Sequence, residues 1–184
     1  GNVNSDAFHR ALLNDAKIDQ YLGASSDDSN AMDSGYARGY NRYIDTHADQ
    51  LPASCAGAEW VKPIDERDLA RLAIGVGRRY GLGRVTDQIA TAAPNQAIAS
   101  LKPIDLSLDV EKIGSNAYAF GSELTDTGRG ILLGNPHYPW QGPSRFHMAH
   151  LTLPGEIDFM GVGLIATPRL AIGFNETIAW SHTV

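Results

Sequence analysis

Near its middle the chain changes hydrophobic period, and that change restricts its possible folds more than any other feature. Up to about residue 91 apolar residues recur three and four apart, whereas from residue 115 they stand in short runs cut by glycine and proline. The first pattern is that of helices burying one face, and the second that of strands joined by turns. Helices followed by strands, rather than alternating with them, predict an α+β fold over a repeated βαβ order.

In the first part, Ser5 is placed to cap a helix carrying Phe8, Leu12 and Leu13. Tyr36, Tyr40, Tyr43, Ile44 and His47 recur at helical spacing and end before Pro52, and a core-facing stripe accounts for them better than a ligand cage. A third helix is predicted from Asp65, just after Pro63, with Asp68 three residues on and Leu69, Leu72, Val76 and Tyr80 on one face; Gly81 and Gly83 stop it. Ala92 to Gly114 contains Pro94 and Pro103 and keeps no period, so by itself it reads as a surface linker. This gives three stretches: 1–91 helical, 92–114 linking, and 115–184 stranded.

The stranded part opens with IGSNAYAFGS. Ala117 to Phe120 read as a strand, Asp126, Thr127, Gly128 and Gly130 as a turn, and Ile131 to Leu133 as a second, buried strand. The return strand runs into Asn135, Pro136 and His137, so a serine and an imidazole are expected at one end of one hairpin. A Gly-Ser pair alone is common in turns. If the bond before Ser115 is broken, however, that residue holds a hydroxyl and a free α-amine, whose pKa of about 7.7–8.0 lets it take a proton near neutral pH.

Composition removes several classes. With 184 residues, 43% hydrophobic and 20% charged, the chain has ordinary globular usage and room for one sizeable core. A net charge of -6 with scattered Lys and Arg argues against nucleic acid as a partner. No run of about 18 apolar residues is present, so no membrane insertion is expected. The single cysteine, Cys55, has no internal partner for a disulfide. RGILLGNP lacks phosphate-loop spacing and a lysine, and neither a cofactor nor a metal is expected.

The sequence resembles the penicillin acylase type of N-terminal nucleophile hydrolase, most closely its branch of acyl-homoserine lactone and aculeacin acylases. IGSNAYAFGS and the stretch from GILLGNPHYPW to AWSHTV carry the resemblance, with AMDSGYARGYNRYI and LPASCAGAEWVKPIDERDLARL adding more loosely. It implies an αββα sandwich, present in part, and self-cleavage at Gly114-Ser115. Residues 92–114 then overlap an excised spacer, leaving α and β chains of one precursor, the β chain headed by Ser115. Ser115 becomes the nucleophile, His137 the residue orienting its amine, and Val184 the backbone NH donor of an oxyanion hole whose second donor, an Asn side chain, lies beyond the chain. An apolar cleft for the acyl tail is implied, with Tyr138, Met160, Leu164 and Ile165 as candidate lining; core packing accounts for each of these equally well. Ala171 stands where some relatives have a polar residue.

The resemblance thus implies an acylase that hydrolyses the amide of an N-acylated small molecule, acyl-homoserine lactone first, with penicillin or cyclic lipopeptide side chains second. Periplasmic or secreted localisation follows from the same resemblance. Against the family pattern the chain, starting at Gly1 and stopping at Val184, is expected to be an incomplete precursor, inactive alone and with sheet edges uncovered. A non-enzymatic structural or binding fragment is the reading from another class. His147 and His150 are three apart on a predicted strand, on opposite faces, and read as structural. Ser181 and His182, adjacent on a predicted strand, point apart and form no triad.

Overall fold

In the computed structural model the described residues are 2–79, 85–92, 114–142 and 144–183. Helices come first and antiparallel strands second, so the chain is α+β as its period change requires. It divides into two units, Gly1–Leu106 and Ser107–Val184.

The first unit contains α1 (Asn2–Leu12), α2 (Asp15–Ala24), α3 (Asp27–Thr46), α4 (Glu66–Arg79) and the short α5 (Thr86–Ala90). The starts of α2, α3 and α4 are written in side chains that satisfy free amides of a first turn. Asn14 Oδ1 accepts from Lys17 N at 3.1 Å and Ser26 Oγ from Ser29 N at 3.2 Å. At α4 the exchange is reciprocal: Asp65 Oδ1 accepts from Asp68 N at 3.0 Å, and Asp68 Oδ2 from Asp65 N at 3.3 Å. That is a capping box with aspartate in the place of glutamate. Ser5, in contrast, lies a turn inside α1, which begins at Asn2, and its backbone carbonyl is 2.8 Å from His9 Nδ1. It caps nothing, because the helix starts three residues earlier than the apolar spacing indicates.

Among the described residues the buried apolar set of this unit is small, Phe8, Ile18, Ala37, Leu69, Ala70 and Val85, with Asp33 also buried. The α3 stripe runs from Asp33 and Ala37 through the half-buried Tyr40 and Ile44. Tyr43 is turned outward and stacks on His47, with ring centroids 4.5 Å apart. Burial raises the Tyr36 phenol, with Tyr40 nearby acting in the same direction. On α4, Leu69 is buried and Leu72 lies at the margin of a cleft of about 500 Å³ shared with Phe8, Leu12 and Val76. Tyr80, Gly81 and Gly83 lie outside the described residues.

Polar ties supplement this core. Arg67 reaches from α4 to Asp15 at 3.0 Å and Asp19 at 2.5 Å on α2, and Arg71 joins Asp15 at 3.3 Å. The hydrogen bond and charge of Arg67 hold the exposed Asp15 carboxyl below its usual range. Exposed pairs of this kind fix an angle of approach more than they add stability. The segment before α4 is held by Asn41, which donates to Ile64 O and accepts from Ile64 N, both at 2.8 Å.

The second unit has two antiparallel sheets. One is the hairpin of β1 (Gly114–Phe120) and β2 (Ile131–His137); the other is a meander of β3 (Phe146–Leu153), β4 (Ile157–Leu164), β5 (Ile172–Phe174) and β6 (Ala179–Trp180). The hairpin turn is closed by Thr125, whose hydroxyl donates to Arg129 O at 2.6 Å and accepts from Arg129 N at 3.1 Å, while Gly128 takes φ +64°. That conformation is open to glycine without a Cβ penalty. Ile131 and Leu133 are half exposed, so the second strand is not the buried strand expected from its composition. They share a face with Tyr118 and Phe120, and all four side chains remain substantially exposed. The final strand also stops at Trp180, leaving Ser181 and His182 outside regular structure.

Replacing Asn41 by Ala leaves a donor and an acceptor of Ile64 without their partner. The loss expected is about 1–3 kcal/mol, read as a lower unfolding midpoint by far-ultraviolet circular dichroism; an unchanged midpoint would show that the clamp contributes nothing.

Candidate active site

Because β1 and β2 pair from Gly114 opposite His137 to Phe120 opposite Ile131, the open end of the hairpin brings Ser115 to His137, 22 residues away in sequence. Ser115 lies opposite Pro136, so the Ser115 and His137 side chains leave opposite faces. The hydroxyl meets the backbone of His137 instead of its ring: Ser115 Oγ accepts from His137 N at 3.3 Å. The same Oγ donates to the carbonyl oxygen of Gly114 at 2.5 Å. The hydroxyl of residue 115 is therefore folded back on the peptide that precedes it.

The imidazole lies on the other face, beside Gly114. A Cβ built on Gly114 would stand 3.2 Å from His137 Nδ1, so glycine leaves the ring its place. At the far side of the ring, Nε2 is 3.1 Å from Asn135 Nδ2 and 3.3 Å from Asn116 Nδ2. These asparagines are themselves opposite one another in the register. Sequence pattern alone assigns neither a role at the site. The signal was nevertheless there, since each stands one or two residues from a named residue and the hairpin aligns them.

Ser115, Ala117 and Gly134 share the opposite face, and Ser181 packs on it. A Cβ at Gly134 would meet Ser181 Oγ at 2.9 Å and Ser181 Cβ at 3.0 Å, and Ser181 Oγ is buried without a hydrogen bond among the described residues. This contact joins β2 to the segment after β6. The segment is held further by Ala171, whose carbonyl oxygen accepts from Trp180 Nε1 at 2.7 Å and lies 2.9 Å from His182 Nε2. Trp180 also stacks on Phe159 at 4.7 Å between centroids. Val184 lies outside the described residues.

The four residues named for an acyl cleft are only partly gathered. Tyr138 stacks on Phe146 at 4.7 Å and lines a shallow cleft of about 310 Å³ with Pro136, Trp140 and Arg145. Leu164 is opposite Phe146 in the register, while Met160 is farther along the same face of β4, opposite His150 and Phe174. Ile165 follows the strand end, its amide bonded to Arg145 O at 3.0 Å. A further cleft of this unit, about 670 Å³, is lined by Phe120, Ile131, Phe174 and Ile178 among others. It adjoins the turn end of the hairpin, about 17 Å along β1 from Ser115 at the usual strand rise, and so is distant from the serine.

The remaining histidines sit apart. His150 Nε2 is 2.6 Å from Asp158 Oδ1 across the β3–β4 pair, and His147 Nδ1 is buried on the other face without a hydrogen-bond partner. Among the described residues no three His, Cys, Asp or Glu side chains converge as a metal site, and no helix is long and apolar enough to cross a membrane.

Ser115 thus stands near the head of β1 with its hydroxyl folded onto the carbonyl of the preceding glycine. The profile of the penicillin amidase family matches residues 1–184, and the chain belongs to that family. It is 38% identical over 192 residues to the acyl-homoserine lactone acylase PvdQ of Pseudomonas putida and 40% identical over 193 residues to that of Pseudomonas fluorescens, each alignment covering all of this chain. It is also 40% identical over 174 residues to the aculeacin-A acylase of Actinoplanes utahensis, covering 88% of this chain and 22% of that relative. The chain spans about a quarter of the length of the PvdQ relatives it matches, 25% in each of these two.

Gly134→Ala drives a methyl into Ser181 and should separate β2 from the segment after β6. A loss of about 1–3 kcal/mol is the usual cost of such overpacking, measured by chemical denaturation; a wild-type midpoint would mean that the two segments are not held together.

Proposed function

We propose that the chain carries the nucleophile of an acylase that hydrolyses the amide of an N-acylated small molecule. The observation that carries this reading is Ser115 Oγ lying 2.5 Å from Gly114 O, with His137 N 3.3 Å from the same Oγ. In the uncut chain Oγ attacks the Gly114 carbonyl carbon, the C–N bond to Ser115 breaks, and the nitrogen keeps the proton lost by the hydroxyl. Water then opens the resulting ester, leaving a carboxylate on Gly114 and a free amine and hydroxyl on Ser115. Residues 92–114 serve as linker or excised spacer between an α segment, 1–91, and a β segment from 115.

Once exposed, the Ser115 amine takes the Oγ proton as Oγ attacks the substrate amide. The substrate amine leaves, and water hydrolyses the acyl ester. Val184 supplies, through its NH, one donor to the tetrahedral oxyanion, and loss of such a donor typically costs roughly 10²–10³ in rate. His137 orients the amine, and Tyr138, Met160, Leu164 and Ile165 are the proposed contacts for the acyl tail. Identity to the PvdQ relatives favours an acyl-homoserine lactone. The similar identity to the aculeacin-A acylase supports a cyclic lipopeptide as the second substrate class. The partner of each segment is the other segment of the same precursor, acting in the periplasm or outside the cell.

Mass spectrometry of the full-length protein should reveal a chain starting at Ser115, and Ser115→Ala should remove it. Cleavage at the same bond in the Ala protein would end the proposal. His137→Ala should lower acylase turnover by about 10²-fold, the scale on which misplacing a reacting group costs rate, while cleavage before Ser115 persists; turnover is scored as free amine released from acyl-homoserine lactones.

A further inference from the structure

The pair Asn116 and Asn135 has no part in the chemistry above, yet both amide nitrogens converge on one atom, Nε2 of His137, at 3.3 and 3.1 Å. An amide NH₂ donates and does not accept. An imidazole nitrogen facing two such donors serves as the acceptor, so the single proton of the neutral ring resides on Nδ1. Nδ1 is the nitrogen beside Gly114, 3.2 Å from the position of a Cβ on that residue.

We infer that Asn116 and Asn135 are positioning residues that fix His137 in its Nδ1–H tautomer, so that the ring presents a donor, and not a lone pair, to the Gly114-Ser115 peptide. This rests on the acylase reading and deepens it. With its acceptor nitrogen occupied on the far side, His137 does not take a proton from Ser115, and the base is the Ser115 amine alone. The Nδ1–H of His137 is instead turned toward Gly114. The cross-strand register makes the arrangement economical, because one residue from each strand of the hairpin reaches the same nitrogen.

Asn135→Asp keeps the side-chain shape and replaces a donor by an acceptor, which draws the ring proton to Nε2. Long-range ¹H–¹⁵N NMR of histidine-labelled protein, uncut through Ser115→Ala and held above about pH 8, where an ordinary imidazole is neutral, should find His137 as the Nδ1–H tautomer. The added Asn135→Asp change should convert it to Nε2–H. In the cleavable protein Asn135→Asp should lower kcat by roughly ten-fold or more, the scale of losing an outer-shell orienting partner, with KM and the yield of the chain starting at Ser115 unchanged. Asn135→Gln, which keeps an amide donor, should recover part of the turnover. An Nε2–H tautomer in the Asn135 protein, or wild-type kcat in Asn135→Asp, overturns the inference. If the protein with Ser115 intact is never cut before that residue, the acylase reading falls, while the tautomer measurement still decides this one.

Discussion

The register of one hairpin governs everything placed at this site. Antiparallel pairing sets Gly114 opposite His137 and Ser115 opposite Pro136, and each further pair follows from those. A slip of one residue would exchange the faces of the entire strand. Ser115 would then lose the amide of His137, the asparagines would part from the imidazole, and Gly134 would turn away from Ser181. The turn that sets the register is local: Thr125 bonded twice to Arg129, and Gly128 at positive φ.

The hairpin also separates two tasks by face. One face carries Ser115, Ala117 and Gly134 and receives Ser181; the other carries His137 and its two asparagines. A serine and a histidine brought together in this way do not form a side-chain dyad. The hydroxyl is met by backbone groups at both ends, the carbonyl of Gly114 and the amide of His137, which are fixed by the ladder and need no rotamer to hold them. Small residues make this possible, since a Cβ at 114 or 134 would intrude on His137 or Ser181.

The helical unit works by other means. Its buried apolar set is small, and the helices are defined by caps at Asn14, Ser26 and Asp65 and by the arginines of α4 reaching Asp15 and Asp19. Such features are legible where a cap immediately precedes a strong amphipathic face, as at Asp65. They are illegible where the apolar positions are few. Thus α2, with only Ile18 buried, carries almost no apolar period, and Ser5 resembles a cap although α1 begins three residues before it. The exposure of Ile131 and Leu133 was misread for a related reason: an apolar run states that a strand can be buried, and its covering layer decides whether it is.

By itself the sequence determined the class of fold, the hairpin, and the meeting of Ser115 with His137 at its open end. These follow from period, turn residues and strand length, which act between neighbours along the chain. Only the tertiary structure decided that His137 meets Ser115 through its backbone and not its ring, that Asn116 and Asn135 share its Nε2, and that Ser181 closes on Gly134. It also decided that Tyr138 and Leu164 both adjoin Phe146 while Met160 stands farther along the sheet. Those outcomes depend on register, face and the approach of separate strands, which are properties of paired backbones in space, and no local pattern of residues encodes them singly.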